Sequence, residues 1–219
     1  MRSYPQRVRD SILPRSVARS LPKAFEEWSV TGHTIDYGEA VETCQLCEHE
    51  HLRYHFEIRN TLTSEMLLVG SKCILTFDIP VFENGVRLAT SQAKKKLEHL
   101  IRQKRLDLCL RALEGLANTE NNARSRDILR KALAFYQKNK YLTPKFAFVV
   151  LWRLAHHRID HSPSFFKISL RKAKYREDLR QMPLSRVHTI WPALTSTQRT
   201  QALAMGHVPP GKGTCPVSS

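Results

Sequence analysis

Thr43-Cys44-Gln45-Leu46-Cys47, followed by His51-Leu52-Arg53-Tyr54-His55-Phe56-Glu57-Ile58-Arg59-Asn60 and then Val69-Gly70-Ser71-Lys72-Cys73-Ile74, is the stretch on which the fold turns. In its middle, Leu52, Tyr54, Phe56 and Ile58 alternate with Arg53, His55, Glu57 and Arg59. That period of two predicts a half-buried strand. Asn60 to Ser64 is polar enough to turn the chain, and Glu65 to Val69 can return as a second strand. Gly70-Ser71 then bends the chain, so that Cys73 opens a short helix reaching Phe77. A cysteine pair, a hairpin and a bend delivering a third cysteine predict a zinc-ribbon or treble-clef module. Two residues between Cys44 and Cys47 let both thiolates reach one tetrahedral ion, and the hairpin returns Cys73 to it. The expected Zn2+ ligands are Cys44, Cys47 and Cys73, with His51 as the fourth and His49 as its alternative; His55 lies further along the strand. A redox C-x-x-C is the rival reading, but it lacks a βαβ context.

Such a thiolate-rich set suits a closed structural site, whereas a hydrolytic zinc keeps a position open for water. His49-Glu50-His51 has acid/base residue types. Neighbours on an extended chain point to opposite faces, however, so these three are not expected to converge. There is no second acidic cluster to hold magnesium, no glycine-rich phosphate loop and no nucleophile constellation. The expectation is a protein without catalytic activity.

Working outward, residues 1–19 read as a basic arm. Ser20 caps a short helix with Pro22 in its first turn and Leu21, Phe25 and Trp28 on one face, ending near Thr31-Gly32. Residues 33–43 read as a loop. Glu83-Asn84-Gly85 predicts a small hairpin. Beyond it the chain turns helical: 92–117, a loop at Asn118–Asn122, then 123–140, 144–158, and short helices at 184–190 and 196–205, with Ser196 or Thr197 as the cap of the last. Cys109, Trp152 and Trp191 read as core. The predicted class is α+β, mainly α, with an N-terminal zinc-finger hairpin followed by a basic helical bundle. The divisions are a basic arm and short helix (1–40), the zinc-binding module and connector (41–91), a basic helical domain (92–205) and a disordered tail containing Cys215 (206–219).

The formal net charge is +15, and it is unevenly spread. Residues 1–40 carry +1, 41–91 carry −3, 92–182 carry +14 and 183–219 carry +3. A field of that sign attracts polyanions and releases their counterions, which points to nucleic acid. Phosphate contacts are expected from Lys94, Lys95, Lys96, Arg102, Lys104 and Arg105, and from Arg171, Lys172, Lys174 and Arg176. The loop residues Asn121, Asn122 and Arg124 have side chains able to read base edges. No membrane partner is expected: the apolar run Phe146–Leu151 falls far short of the ~20 residues of a spanning helix. With no apolar signal region at its start, the chain is expected in the cytoplasm, where its five cysteines read as ligands or buried thiols.

In this order of parts the chain resembles the large subunit of type IV CRISPR effector complexes, a small protein family with an N-terminal zinc finger. The residues that carry the resemblance are Cys44-Gln45-Leu46-Cys47, His51 to Ile58, and Val69-Gly70-Ser71-Lys72-Cys73-Ile74. It implies a non-catalytic subunit at one end of a guide-RNA ribonucleoprotein, contacting the guide RNA 5′ end and the target DNA with its flanking motif. The implied partners are a backbone subunit, a guide-processing subunit and a recruited helicase, with sequence read by base pairing. A plasmid- or phage-encoded zinc-finger DNA-binding regulator or anti-defence protein is the alternative, and a zinc-dependent nuclease a further one.

Overall fold

A computed structural model of the chain describes residues 3–211. By contact the chain divides into two units, residues 1–104 and 105–219, with the boundary inside one long helix. The architecture is α+β, with a small N-terminal sheet and a later helical region.

The first unit opens with α1 (Tyr4–Ile12), which carries a proline in its first turn and buries Val8 and Ile12 one turn apart. The predicted arm is therefore partly helix. A 3-10 turn at Leu13–Arg15 leads to α2 (Leu21–Glu26), which starts after Ser20 as expected but stops earlier. The chain extends instead into β1 (Trp28–Asp36). Val30, Thr31, Thr34 and Ile35 are β-branched, and their stiff side chains favour a pleated surface over a helix. Trp28 is still core, fully buried, but from a strand, and its indole Nε1 donates to Ser16 Oγ at 2.9 Å.

β1 pairs antiparallel with β2 (Tyr54–Asn60), which pairs antiparallel with β3 (Met66–Val69), so β2 is central. Val30 faces Ile58 and Thr34 faces Phe56, so Thr31, Gly32 and His33 bulge opposite Glu57. Gly32 turns the bulge at φ +88°, a conformation that glycine adopts without strain. Phe56 and Ile58 are fully buried and Arg59 is exposed, as the alternation predicts. His55, on the other face, is buried as well, with Nδ1 3.2 Å from the Tyr37 hydroxyl. After β3 come α3 (Ser71–Thr76) and the hairpin of β4 (Phe82–Glu83) and β5 (Val86–Arg87). Asn84 and Gly85 turn that hairpin with φ of 51° and 79°, the left-handed pair an Asn-Gly turn requires. Helix α4 (Thr90–Thr119) follows, and its Ala93 and Leu97 join the first core.

The second unit contains the rest of α4, then α5 (Ala123–Asn139), α6 (Pro144–His156), α7 (Ala173–Arg180), α8 (Leu184–Ile190) and α9 (Ser196–Ala204). Side-chain caps mark the starts of α5, α6 and α9. The Asn122 side chain accepts from Ser125 N, the Thr143 side chain from Phe146 N, and Thr195 with Gln198 forms a capping box. Thr195, and not Ser196 or Thr197, is thus the cap of α9. Helix α6 is central, packed on α5, α7 and α8, with Ala147, Val150, Leu151 and Leu154 inside. Cys109 is fully buried and its Sγ lies 3.0 Å from the Asp160 carbonyl; burial pushes the thiol up to about 11. Trp191 is core, but Trp152 is 42% exposed, contrary to expectation, because α6 buries the faces on either side of it. Of the predicted tail, His207 is buried with Nε2 2.8 Å from the Leu179 carbonyl, while residues 212–219, Cys215 among them, lie outside the described residues.

A buried polar knot ties the sheet to the segment before it. Asn60, fully buried, donates from Nδ2 to Arg15 O and to Glu27 Oε2, and its Oδ1 accepts from Leu62 N and Thr63 N. Burial pushes the Glu27 carboxyl up, but donors from Asn60, Ala18 and Val17 outweigh it and hold the group below its ordinary pKa. Asn60→Ala removes one of those donors and should destabilise the first unit by about 2–3 kcal/mol, measured as a lower urea midpoint. Because folding lowers this pKa, the stabilisation is full above the ordinary carboxylate range and is lost as pH falls through the folded value. The wild-type chain should therefore lose stability more steeply on acidification than Asn60→Ala does.

Candidate metal centre

Cys44 and Cys47 stand on a tight knuckle. Cys44 N donates to His49 O and Glu48 N to Cys44 O, both at 2.9 Å, with Glu48 left-handed at φ +57°. Gln45 fastens the knuckle to β3: its N donates to Leu68 O and its Oε1 accepts from Leu68 N. Cys73 sits in the first turn of α3, where the hairpin delivers it to the knuckle. The Cys44 and Cys73 sulfurs are 3.7 Å apart, those of Cys47 and Cys73 3.2 Å, and all three lie within 4.8 Å of one another. Each cysteine is at most 3% exposed. A tetrahedral ion with metal–sulfur bonds of ~2.3 Å has sulfur–sulfur edges of ~3.8 Å, so the trio needs only a small opening to hold one.

The thiols are not equivalent. A hydrogen bond shared with the Cys73 thiol, and the amides of Gly70, Cys47 and Leu46, hold Cys44 well below the usual thiol range. The same contact with Cys44, together with burial, pushes Cys73 far up, and burial pushes Cys47 up. Three thiolates this close repel one another, so a positive charge beside them is what would let all three ionise.

Among the described residues this cluster holds three side chains. The expected fourth ligand His51 and its alternative His49 are not within it. They line, with Glu50, Lys72, Tyr4 and Arg7, a cleft of about 820 Å³ onto which the cysteines open. His51 is left-handed at φ +62°, which turns the chain before Leu52 pairs with Glu42. The segment is consequently not extended, and His49, Glu50 and His51 all border one cleft, where opposite faces had been expected. Gly70 lies on the same cleft, and a Cβ there would come 3.1 Å from Leu52 Cδ1.

Two residues near the cysteines had no signal in the 43–77 stretch, because they come from α1. The Tyr4 hydroxyl hydrogen-bonds with Cys73, and burial and then the charges of Cys73 and Cys47 raise its pKa to about 12. Arg7 Nε donates to Cys47 O at 2.9 Å. Only a helical reading of Tyr4, Arg7 and Val8 would have placed them together.

The expected phosphate contacts are scattered over both units. Lys94, Lys95 and Arg102 are exposed on the first part of α4, Lys104 is half-buried, and Lys96 pairs with Glu83 at 2.7 Å. Arg105 pairs with Asp160 at 2.8 Å. Arg171, Lys172, Lys174 and Arg176 are exposed around the start of α7, Arg176 donating to the Leu170 and Arg171 carbonyls. Asn121 and Arg124 are exposed, but Asn122 already uses its side-chain oxygen as a helix cap. Residues 105–219 hold 20 Lys and Arg against 7 Asp and Glu, a net +13, while residues 1–104 hold 15 against 13, a net +2. Among the described residues no helix is long and apolar enough to cross a membrane.

Compared with protein-family models, with curated proteins and with solved structures, the chain finds no match.

Cobalt(II) added to the reduced, metal-free chain should bind at one equivalent with the intense absorption of thiolate coordination. Cys44→Ser, Cys47→Ser and Cys73→Ser should each abolish or strongly weaken that signal, and Cys109→Ser should leave it unchanged.

Proposed function

We propose that this chain is a non-catalytic nucleic-acid-binding protein in which a zinc ion stabilises the first unit and the second unit holds phosphates. The observation that carries the reading is the confinement of +13 of the +15 charge to residues 105–219. Zn2+ suits the donor set of Cys44, Cys47 and Cys73, because soft, buried thiolates select it over hard cations. The knuckle, hairpin and helix-borne thiol follow the treble-clef order. His51 or His49 would complete the shell from the cleft. A thiolate-rich site supplies folding energy, not a Lewis acid, so the zinc acts on stability.

The finer reading, a large subunit of a type IV CRISPR effector complex, rests on the resemblance of residues 44–47, 51–58 and 69–74. In that role the second unit would grip guide RNA and target DNA along their backbones, while base pairing reads sequence. The chain purified from its native cells should then bring RNA and further subunits with it. An isolated, RNA-free dimer that binds a duplex would favour the regulator instead. Metal-dependent cleavage lost in Glu50→Gln would favour a nuclease.

Charge reversal tests the phosphate reading. Arg171→Glu, Lys172→Glu and Lys174→Glu together should weaken binding to all sequences and reduce the slope of log affinity against log salt by about 2–3. Lys94→Glu with Lys95→Glu, in the near-neutral first unit, should cost less. The reverse order would sink the assignment.

A further inference from the structure

Helix α6 carries an exposed tryptophan, Trp152, that the core does not use. Its inward faces supply Ala147, Val150, Leu151 and Leu154. Trp152 points out, 42% exposed, and its indole lies flat on the ring of His156, with centroids 4.8 Å apart and planes 12° from parallel. His156 in turn meets His157 edge-on at 5.1 Å. One turn earlier on the same side stands the half-buried Phe148, capped by the Arg186 guanidinium 4.9 Å from its centroid. A rise of about 1.5 Å per residue spaces Phe148, Trp152 and His156 at about 6 Å intervals along α6.

The indole is held from within the unit. Arg153 is 6% exposed, its guanidinium donates to Glu120 at 2.9 Å and to the Ser125 hydroxyl, and it lies 5.9 Å from the Trp152 centroid. The ring pair is thus built on a fixed helix over a fixed cation. An i,i+4 contact stabilises a helix by only about 0.2–0.5 kcal/mol, far less than burying an indole would give. Helix stability therefore does not explain why this tryptophan stays in water.

We propose that Trp152 and His156 form a stacking platform for the bases of a single-stranded nucleic-acid segment. This rests on the nucleic-acid reading above and adds to it the strandedness of the ligand. Charge selects the occupant. The platform belongs to the +13 unit; the exposed Arg158 follows His156 by two residues, and Arg186 caps Phe148 one turn before Trp152. Nearby carboxylates are engaged by cations: Glu120 by Arg153, Asp160 by Arg105 and Asp178 by Lys145. A flat aromatic face among cations suits a base whose phosphate lies alongside, and every base offers a π-face, so the contact tolerates any sequence. In a duplex the bases are already stacked on one another, and the platform gains nothing from it.

The test uses the full chain with three probes: an oligothymidylate, an oligouridylate and a mixed-sequence DNA duplex. Single strands should quench the exposed-tryptophan fluorescence, since Trp28 and Trp191 are buried. Trp152→Ala should weaken single-strand binding about tenfold or more while changing duplex affinity less than twofold. Trp152→Phe should keep most of the affinity, and His156→Ala should lose part of it; an unchanged urea midpoint in each variant excludes misfolding. Wild-type affinity of Trp152→Ala for both single strands would overturn the platform and leave phosphate binding standing. The same would follow if Trp152→Ala lost only a copurifying protein, which would make the face a protein interface. Failure of the wild-type chain to bind any of the three probes would overturn the nucleic-acid reading and the platform with it.

Discussion

Three buried sulfur atoms within 4.8 Å of one another are the constraint on which the first unit is arranged. Ionised thiols that close repel one another, and protonated ones give up the strong bonds that a metal offers. Either way, the backbone must bring residue 73 back to residues 44 and 47 and keep water out. The β2–β3 hairpin does the first. Gln45, bonded to Leu68 through both backbone and side chain, holds the knuckle as a short extension of the sheet. Helix α1 helps with the second, laying Tyr4 and Arg7 over the cysteines. The thiols belong to the same apolar cluster as Trp28, Phe56 and Ile74, so the cysteine cluster and the core of this unit are one object.

What could be read from the residues beforehand followed from how local each signal was. Whereas α7 was read only as a basic stretch, the β2 strand, the Asn84-Gly85 turn and helices α4, α5, α6, α8 and α9 are written in periodicities and local signals a few residues long. They were legible to within about two residues at most ends. β1 was not, because Trp28 continues the apolar face of Leu21 and Phe25; only the pairing with β2, some thirty residues on, makes it a strand. α1 escaped because its inner face is just Val8 and Ile12 among arginines. The three cysteines were legible from spacing, but the neighbours of the cluster were not, since Tyr4 and Arg7 come from outside the motif. Trp152 was misread because type alone suggests core, and exposure depends on which faces of α6 the other helices cover.

The two units distribute their charge differently. The first balances 15 cations with 13 carboxylates, many of them close pairs such as Arg53 with Asp36 and Arg87 with Asp78. The second leaves 13 cations in excess, and its few carboxylates are largely spent on holding helices, as Glu120 is on Arg153. Added salt should thus screen mainly attraction in the first unit and mainly repulsion in the second.

Gly70 has a bearing on how this cluster could have arisen. It stands three residues before Cys73, the spacing at which a helix-opening segment commonly supplies a second thiol to the same ion. A Cβ there would press on Leu52 at 3.1 Å, and a sulfur beyond it would need more room still. Leu52 is anchored in turn by its ladder to Glu42. A cysteine at position 70 would therefore need the Leu52 side chain to give way by a few tenths of an ångström, and the freedom of that one isobutyl group decides whether a fourth thiol could join the other three.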